Sequence, residues 1–145
     1  MIEELYSIYD NLGVERDRLV ILIEKLKSKD MNTTNIIKTK SGFEWLKVNG
    51  GFKDLTSGLV WKDNDEEGLY SFNEAIEKFM NKLPTKDEYE IALTHGLSEV
   101  VSFSRTWYWS ASTSTSTYAW YFKGVQGYLY TKNQNNNFSV RCVAR

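Results

Sequence analysis

The sequence has very few of the residues that define several common protein classes. Its 145 residues include one cysteine, one proline and one histidine. A lone Cys142 cannot form an intrachain disulfide, so the fold does not depend on an oxidising compartment. Zinc sites built from several cysteine and histidine ligands are excluded as well. No stretch approaches the roughly 20 apolar residues of a membrane span, and the opening residues, MIEEL, are acidic where a signal peptide would be basic.

Acidic residues are also missing from the last third of the chain, since Glu99 is the final one. Residues 1–99 carry 13 Lys and Arg against 19 Asp and Glu, whereas residues 100–145 carry 5 Lys and Arg and no acid. The net charge of −1 therefore hides an acidic part and a basic part. Two interpretations stay open: the basic part meets an anionic partner, or the two parts neutralise each other within the fold.

Residues 1–30 carry a heptad pattern that is typical of a coiled coil. Seven of the eight a and d positions are apolar, and only Arg16 interrupts them. Because such a helix needs a partner, the pattern predicts a parallel oligomerisation stalk, with a helix folded back on its own domain as the alternative. We expect a homotrimer whose seam consists of Ile2, Leu5, Tyr9, Leu12, Leu19, Ile23 and Leu26.

Residues 31–42 are interpreted as a linker or an entry strand, and residues 43–145 as one domain. Two helices are predicted at 72–81 and 86–93, because serine or threonine is followed three residues later by glutamate just before each of them. The segments around them are short, aromatic and β-branched, so the pattern predicts an α+β domain with a mostly antiparallel sheet. The inward faces are expected to consist of Phe72, Ala75, Ile76, Phe79 and Met80 in the first helix and Tyr89 and Leu93 in the second.

Six short motifs occur in a defined order along this domain. They are GLVW at 58–61, YSFNEAIEKF at 70–79, LPTKDEYEIAL at 83–93, YWSAS at 108–112, YAWYFKG at 118–124 and SVRCVAR at 139–145. In this order they resemble the Lcl C-terminal-domain family, which has a C-type-lectin-like fold. That family is related in architecture to the sulfatase-modifying factors and to the variable proteins of diversity-generating retroelements. The resemblance covers about residues 43–145 and concerns the fold more than the ligand.

The resemblance implies a C-type-lectin-like domain in which Trp61, Trp109 and Trp120 are core residues. Many family members pair the cysteine of the terminal RCV motif with one in the first helix. Here Cys142 is expected to face Phe79 or Met80 instead, so that packing replaces the disulfide. Catalysis in the sulfatase-modifying branch uses a cysteine pair, so the resemblance implies no such activity. We expect a protein that is not an enzyme and needs no cofactor.

The remaining candidates for chemistry are few. His95 stands at the end of the second helix, where we expect a capping or surface residue rather than a catalytic one. Cys142 lies in an apolar strand, which argues against a nucleophile. Asp63, Asn64, Asp65, Glu66 and Glu67 could gather oxygen ligands for Ca²⁺, but their spacing is not that of an EF-hand. We expect this segment to be a solvated loop and expect no metal site.

Two polar loops, at 110–117 and 131–137, flank tyrosines and lysines near the C-terminus. Tyrosine offers rigid stacking area for sugar rings and lysine pairs with acidic groups, which favours a polysaccharide ligand over simple solvated loops. Strand alternation predicts that Tyr121 and Lys123 point outward while Trp120 and Phe122 point inward. The candidate ligand-binding residues are Tyr118, Tyr121, Lys123, Tyr128, Tyr130, Lys132, Asn133 and Asn135.

We therefore expect an oligomeric stalk that carries a lectin-like head, made in a host cytoplasm and displayed on a virion as a phage head or tail fibre or decoration protein. Its expected partners are further copies of itself, other virion proteins through the N-terminal region, and a host-surface glycan. We expect neither nucleic-acid binding nor membrane insertion. Several weak sites would act together through avidity. A bacterial surface adhesin for polysaccharide and a purely structural virion protein are the alternatives.

Overall fold

Residues 35–145 are described by the computed structural model. Within this range the chain forms eight β-strands and three α-helices, and the strands make two mainly antiparallel sheets. The predicted α+β class is confirmed. All seven residues expected to form the coiled-coil seam lie outside the described residues, so the stalk stays a prediction.

The first sheet consists of five short strands in the order β1–β2–β3–β4–β8. They are β1 (Ile36–Lys38), β2 (Glu44–Val48), β3 (Gly51–Asp54), β4 (Val60–Lys62) and β8 (Val143–Ala144). From β2 onward each strand is antiparallel to the next in this order. Gly51 brings β3 close to β4, since a Cβ atom there would lie 2.3 Å from the main-chain oxygen of Trp61. β1 falls inside residues 31–42, which the sequence analysis interprets as either a linker or an entry strand.

The second sheet has three strands in the order β5–β6–β7, each antiparallel to its neighbour. They are β5 (Trp107–Thr113), β6 (Tyr118–Lys123) and β7 (Tyr128–Asn133). β6 and β7 pair without interruption, from Tyr118 opposite Asn133 to Lys123 opposite Tyr128. The register between β5 and β6 shifts between Trp109 and Thr113, so β5 is the irregular member of the sheet.

The helices are α1 (Phe72–Phe79), α2 (Lys86–Thr94) and α3 (Leu97–Val100). Both predicted capping boxes are present, because the Ser71 and Thr85 hydroxyls accept hydrogen bonds from the amides of Glu74 and Glu88, whose carboxylates accept the reciprocal bonds. The sequence pattern predicts no third helix; α3 begins after Gly96, which turns the chain with a φ of +91°. None of the helices within residues 35–145 is long and apolar enough to cross a bilayer.

The end of the chain connects the two sheets. Ser139 exchanges two backbone hydrogen bonds with β5, one from the Trp109 amide and one to the Trp107 oxygen, both at 3.0 Å. A few residues later the chain enters the first sheet as β8, where Val143 lies opposite Trp61. This segment therefore fixes the position of β5 relative to β4.

Two clusters of buried side chains make up the core. The first consists of Phe72, Ala75, Phe79, Leu83, Trp109, Ala119, Tyr121, Phe138, Val140 and Cys142. The second consists of Trp45, Trp61, Tyr89, Ala92, Leu97, Val101, Tyr108, Phe122 and Val143. Tyr121 and Phe122 are successive residues of β6 and belong to different clusters, so this central strand is buried on both faces.

Most expectations about individual core residues hold. Cys142 shares a cluster with Phe79, and Trp61 and Trp109 are fully buried. The prediction that Met80 points into the core is wrong. Met80 is 69% exposed, because α1 ends at Phe79 and the backbone turns away from the helix there. Trp120 was also expected in the core and is only partly buried, with the Lys86 ammonium 4.4 Å from its ring centroid.

Candidate functional site

An exposed row of aromatic and basic side chains crosses one end of the second sheet. Trp107 of β5 lies opposite Lys123 of β6, and Lys123 lies opposite Tyr128 of β7. Directly opposite residues project from the same face of a sheet, so these side chains form one row across all three strands. Tyr130 lies two residues further along β7 and extends the same face. We call Trp107, Lys123, Tyr128 and Tyr130 the aromatic face.

The rings of the aromatic face are accessible to a ligand. Trp107, Tyr128 and Tyr130 are 42%, 39% and 58% exposed. The two tyrosine rings meet edge to face with their centroids 5.7 Å apart. Edge-to-face contact fixes their orientation, so the face presents a preformed set of ring surfaces.

Lys123 is held in the middle of this face by the tyrosines of β7. Its ammonium donates a hydrogen bond to the Tyr128 hydroxyl at 3.1 Å and lies 5.0 and 5.4 Å from the ring centroids of Tyr128 and Tyr130. The hydrogen bond to Tyr128 raises the pKa of Lys123 above its ordinary value. The aromatic face therefore carries a cation of fixed position at neutral pH.

Tyr121 lies on the same face of the sheet, opposite Tyr130, but its side chain is buried. It is 5% exposed, and its ring packs against Phe138 at 5.0 Å and Trp107 at 6.2 Å between centroids. The expectation that Tyr121 points to solvent is therefore wrong, although Phe122 is buried as expected. Alternation itself holds, since Tyr121 and Lys123 share a face, but Phe138 covers the Tyr121 end of that face.

The structure brings only part of the remaining predicted set to this site. Lys132 is exposed on the same face of β7, beyond Tyr130. Tyr118 and Asn133 lie opposite each other and project from the other face of the sheet. The Asn133 carboxamide oxygen accepts a hydrogen bond from the Asn135 amide at 2.9 Å, so the Asn133 side chain stabilises a local turn.

A cavity of about 260 Å³ adjoins the aromatic face at Trp107. Its walls include Leu69, Arg105 and Asn137, and Arg105 is the one ionisable side chain among the lining residues. Sequence reasoning missed Trp107 and Arg105. Trp107 shares a face with Trp109, two residues away. Because Trp107 is the first residue of the strand, it lies at the rim of the core, and this position could have identified it as a candidate binding residue.

The acidic segment that was expected to be a solvated loop contributes Asp65 to a buried ion pair. Arg141 is 1% exposed and donates to Oδ1 of Asp65 from Nε at 2.8 Å and from Nη2 at 2.6 Å. Its guanidinium also donates to the main-chain oxygens of Lys62 and Ser102, at 3.0 and 2.8 Å. Oδ2 of Asp65 accepts from the Tyr108 hydroxyl at 2.9 Å. Both oxygens of the Asp65 carboxylate therefore make contacts within the domain.

No group of three or more His, Cys, Asp or Glu side chains within residues 35–145 is arranged to hold a metal ion.

Of the basic residues after Glu99, Arg141 and Arg145 are paired with acids, Arg145 with Glu88 at 2.5 Å. Arg105, Lys123 and Lys132 form no ion pair with any described acid, so three cations stay free for a ligand.

His95 ends α2 as expected, but its side chain is buried and not a surface group. Its Nδ1 lies 2.5 Å from Oδ2 of Asp54, which is fully buried, and its ring stacks on Phe43 at 4.0 Å between centroids. The His95 main-chain oxygen accepts hydrogen bonds from the Trp45 indole at 2.8 Å and from the Thr39 hydroxyl at 3.1 Å. These contacts fasten the end of α2 to the first sheet.

Cys142 is buried, as its place in an apolar strand predicted. Its side chain is 1% exposed, and burial raises the pKa of the thiol to about 12, with the charge of Glu66 adding to the shift. The thiolate is the reactive form of cysteine, and the raised pKa disfavours it at neutral pH.

No protein-family model matches the chain, and no curated protein matches it. The assignment to the Lcl C-terminal-domain family therefore stays a proposal that rests on the six motifs.

Proposed function

We propose that residues 43–145 form a C-type-lectin-like head of the Lcl C-terminal-domain family and that this head binds surface glycans without catalysis. The observation that carries the proposal is the aromatic face, in which the exposed rings of Trp107, Tyr128 and Tyr130 share one face of the sheet with Lys123. The Lys123 ammonium lies over the two tyrosine rings. Rigid aromatic rings offer flat apolar area to the C–H faces of sugars at low entropic cost. The ammonium donates hydrogen bonds to hydroxyl or carboxylate oxygens.

The dimensions of the aromatic face suit a short oligosaccharide. Neighbouring strands are about 4.8 Å apart, so the row from Trp107 to Tyr128 spans roughly 10 Å across the sheet. Sugar rings stacked along this row would have Lys123 between them. The cavity beside Trp107 extends the site toward Arg105.

The charges around the site favour a polysaccharide that carries acidic groups. Residues 100–145 contain no Asp or Glu, and Arg105, Lys123 and Lys132 have no acidic partner among residues 35–145. A carboxylated ligand would supply the missing counter-charges. The chain's one histidine and one cysteine, His95 and Cys142, are both buried, and neither belongs to the aromatic face.

We further propose that residues 1–30 form the stalk of a homotrimer and that the protein is a phage fibre or decoration protein located in the virion. A single exposed face of this kind binds weakly, and display on an oligomer would raise the apparent affinity by a factor of about 10² to 10⁴. A bacterial surface adhesin would use the same face in the same way. A purely structural virion protein would leave it without a ligand.

The test compares binding of the full chain to purified host-surface polysaccharide with binding by the double variant Trp107→Ala, Tyr128→Ala. We expect at least a tenfold loss of apparent affinity, measured by biolayer interferometry, because two stacking surfaces are removed. Tyr118→Ala is the matched control, since Tyr118 is 43% exposed on the other face of the sheet and should change binding less than twofold. Unchanged binding by the double variant would refute the site.

The assembly is tested separately. At about 1 µM or below, a chain that lacks residues 1–30 should sediment as a monomer and lose the avidity contribution. Mass spectrometry of purified particles would show whether the protein is a virion component. A truncated chain that still trimerises would remove the stalk from the proposal but would leave the aromatic face as it is.

A further inference from the structure

We propose that β7 is an assembly edge, through which two copies of this chain pair and join their three-stranded sheets into one continuous sheet. The inference concerns self-association and does not rest on glycan binding, although Tyr128 and Tyr130 belong both to β7 and to the aromatic face. It rests on a comparison of the edge strands within residues 35–145, of which β7 is long and has no strand beside its outer edge.

β7 is the one long strand edge that the described part of the chain leaves open. The outer edge of β5 is closed by backbone bonds to Ser139 and by the Ala111 amide, which donates to Pro84 at 2.7 Å. The edge strands of the first sheet, β1 and β8, have only three and two residues. β7 has six residues, lies at the end of the order β5–β6–β7, and has no further strand beside it within residues 35–145. Proteins usually shorten, bend or cover such an edge.

The sequence of β7 carries little that would prevent pairing. It reads YLYTKN, with no proline, no glycine and a single charge, at Lys132. The strand is also regular, since it pairs with β6 at six successive positions without a bulge. A bulge or a proline would have disrupted the hydrogen-bonding edge.

An antiparallel pairing of two copies about Tyr130 is self-complementary. A two-fold axis at Tyr130 places the two Tyr130 side chains opposite each other, Tyr128 opposite Lys132, and Leu129 opposite Thr131. Each pair lies on one face of the joined sheet, as antiparallel pairing requires. The directly opposite pairs then join tyrosine with tyrosine, tyrosine with lysine, and apolar Leu129 with the methyl group of Thr131, and none of them joins like charges. Tyr128 lies between Lys123 of its own chain and Lys132 of the other copy.

Apolar surface beside the edge would be covered by the same contact. Tyr130 is 58% exposed, and a cavity of about 300 Å³ lined by Trp120, Leu129, Tyr130 and Thr131 lies next to the strand. The partner's Leu129 and Thr131 would project toward this cavity. Pairing of one strand edge buries less than the area of a standard stable interface, so the association is weak and becomes effective where many copies are held close together. The joined sheets would also make the two aromatic faces continuous.

The test introduces charges of either sign at Tyr130, the residue on the proposed two-fold axis. The weight-average mass of the full chain is measured by analytical ultracentrifugation between about 10 µM and 1 mM, the range of weak interfaces. We expect the mass to rise with concentration beyond that of the stalk oligomer for the wild type and to stay at that of the stalk oligomer for Tyr130→Lys and for Tyr130→Glu alone. An equimolar mixture of the two variants should regain the association, because a lysine then faces a glutamate.

Control variants separate an edge effect from a general change of surface charge. Tyr118→Lys and Tyr118→Glu carry the same charges at an exposed tyrosine outside β7 and should associate as the wild type does. The proposal is overturned if the wild type shows no rise in mass, if Tyr130→Lys associates normally, or if the mixture of the Tyr130 variants fails to recover. Each variant must retain the melting temperature of the wild type within a few degrees. Glycan binding by the wild type is measured separately, so failure of one proposal leaves the other testable.

Discussion

Replacing Asp65 with asparagine would leave the buried guanidinium of Arg141 without its counter-ion. Arg141 is 1% exposed and cannot move its charge into water without opening the contact between the end of the chain and the Lys62 and Ser102 backbone. Removal of one partner from a buried ion pair costs about 3–5 kcal/mol. The asparagine oxygen still accepts a hydrogen bond, so we expect a value near the lower end, about 3 kcal/mol. At roughly 4 °C per kcal/mol for a domain of this size, the melting temperature would fall by about 12 °C.

Urea unfolding followed by tryptophan fluorescence measures this effect, because Trp61 and Trp109 are fully buried and report on both core clusters. Asp63→Asn is the matched control. Asp63 lies in the same acidic segment and accepts a hydrogen bond from the neighbouring Asn64 side chain, so its neutralisation should change stability by less than about 0.5 kcal/mol.

A double variant distinguishes an uncompensated charge from simple loss of contacts. Asp65→Asn combined with Arg141→Met leaves no buried charge, so its loss of stability should be smaller than the sum of the two single losses, by about 0.5–3 kcal/mol. Strict additivity, or an Asp65→Asn variant as stable as the wild type, would show that the pair does not hold the fold in the way described.

Two further predictions concern the interior and the helix ends. Burial raises the pKa of Cys142 to about 12, so its thiol should react with iodoacetamide at pH 8 only as fast as the protein unfolds. The introduced thiol of Val125→Cys, at a site that is 76% exposed, should react at once. Equal rates for the two thiols would contradict the burial of Cys142. Thr85→Ala should cost about 1 kcal/mol in urea unfolding, because the Glu88 amide loses its acceptor, while Thr85→Ser should keep most of the stability; a loss as large for serine as for alanine would rule out the capping contribution.

The features that the sequence predicted well are local ones. Each capping box needs only two residues three positions apart, and both Ser71 and Thr85 start helices at the predicted positions. The ends of elements and the third helix were less accessible to sequence reasoning, because they depend on backbone turns such as the one at Gly96. The family resemblance contributed the expectation that Cys142 packs against the first helix.

The candidate site could be predicted only in part, because alternation gives the direction of a side chain and not what covers it. Tyr121 and Lys123 do share a face, yet Phe138, which is distant in sequence, covers Tyr121 and leaves Lys123 open. The Asp65 and Arg141 pair joins residues 76 positions apart, and nothing local in either segment announces it. Trp107 was overlooked because its neighbour Trp109 is a core residue with the same orientation.

The charge asymmetry of the chain now separates into an internal and an external part. Arg141 and Arg145 neutralise Asp65 and Glu88, so part of the basic excess after Glu99 balances the acidic part of the same domain. The other basic residues of that segment, Arg105, Lys123 and Lys132, have no such partner among the described acids. Because the cations that hold the fold are distinct from those without an acidic partner, substitutions on the aromatic face can test the proposed binding without removing the ion pairs of Arg141 and Arg145. Internal charge balance therefore accounts for Arg141 and Arg145, whereas an anionic partner for Arg105, Lys123 and Lys132 stays a proposal.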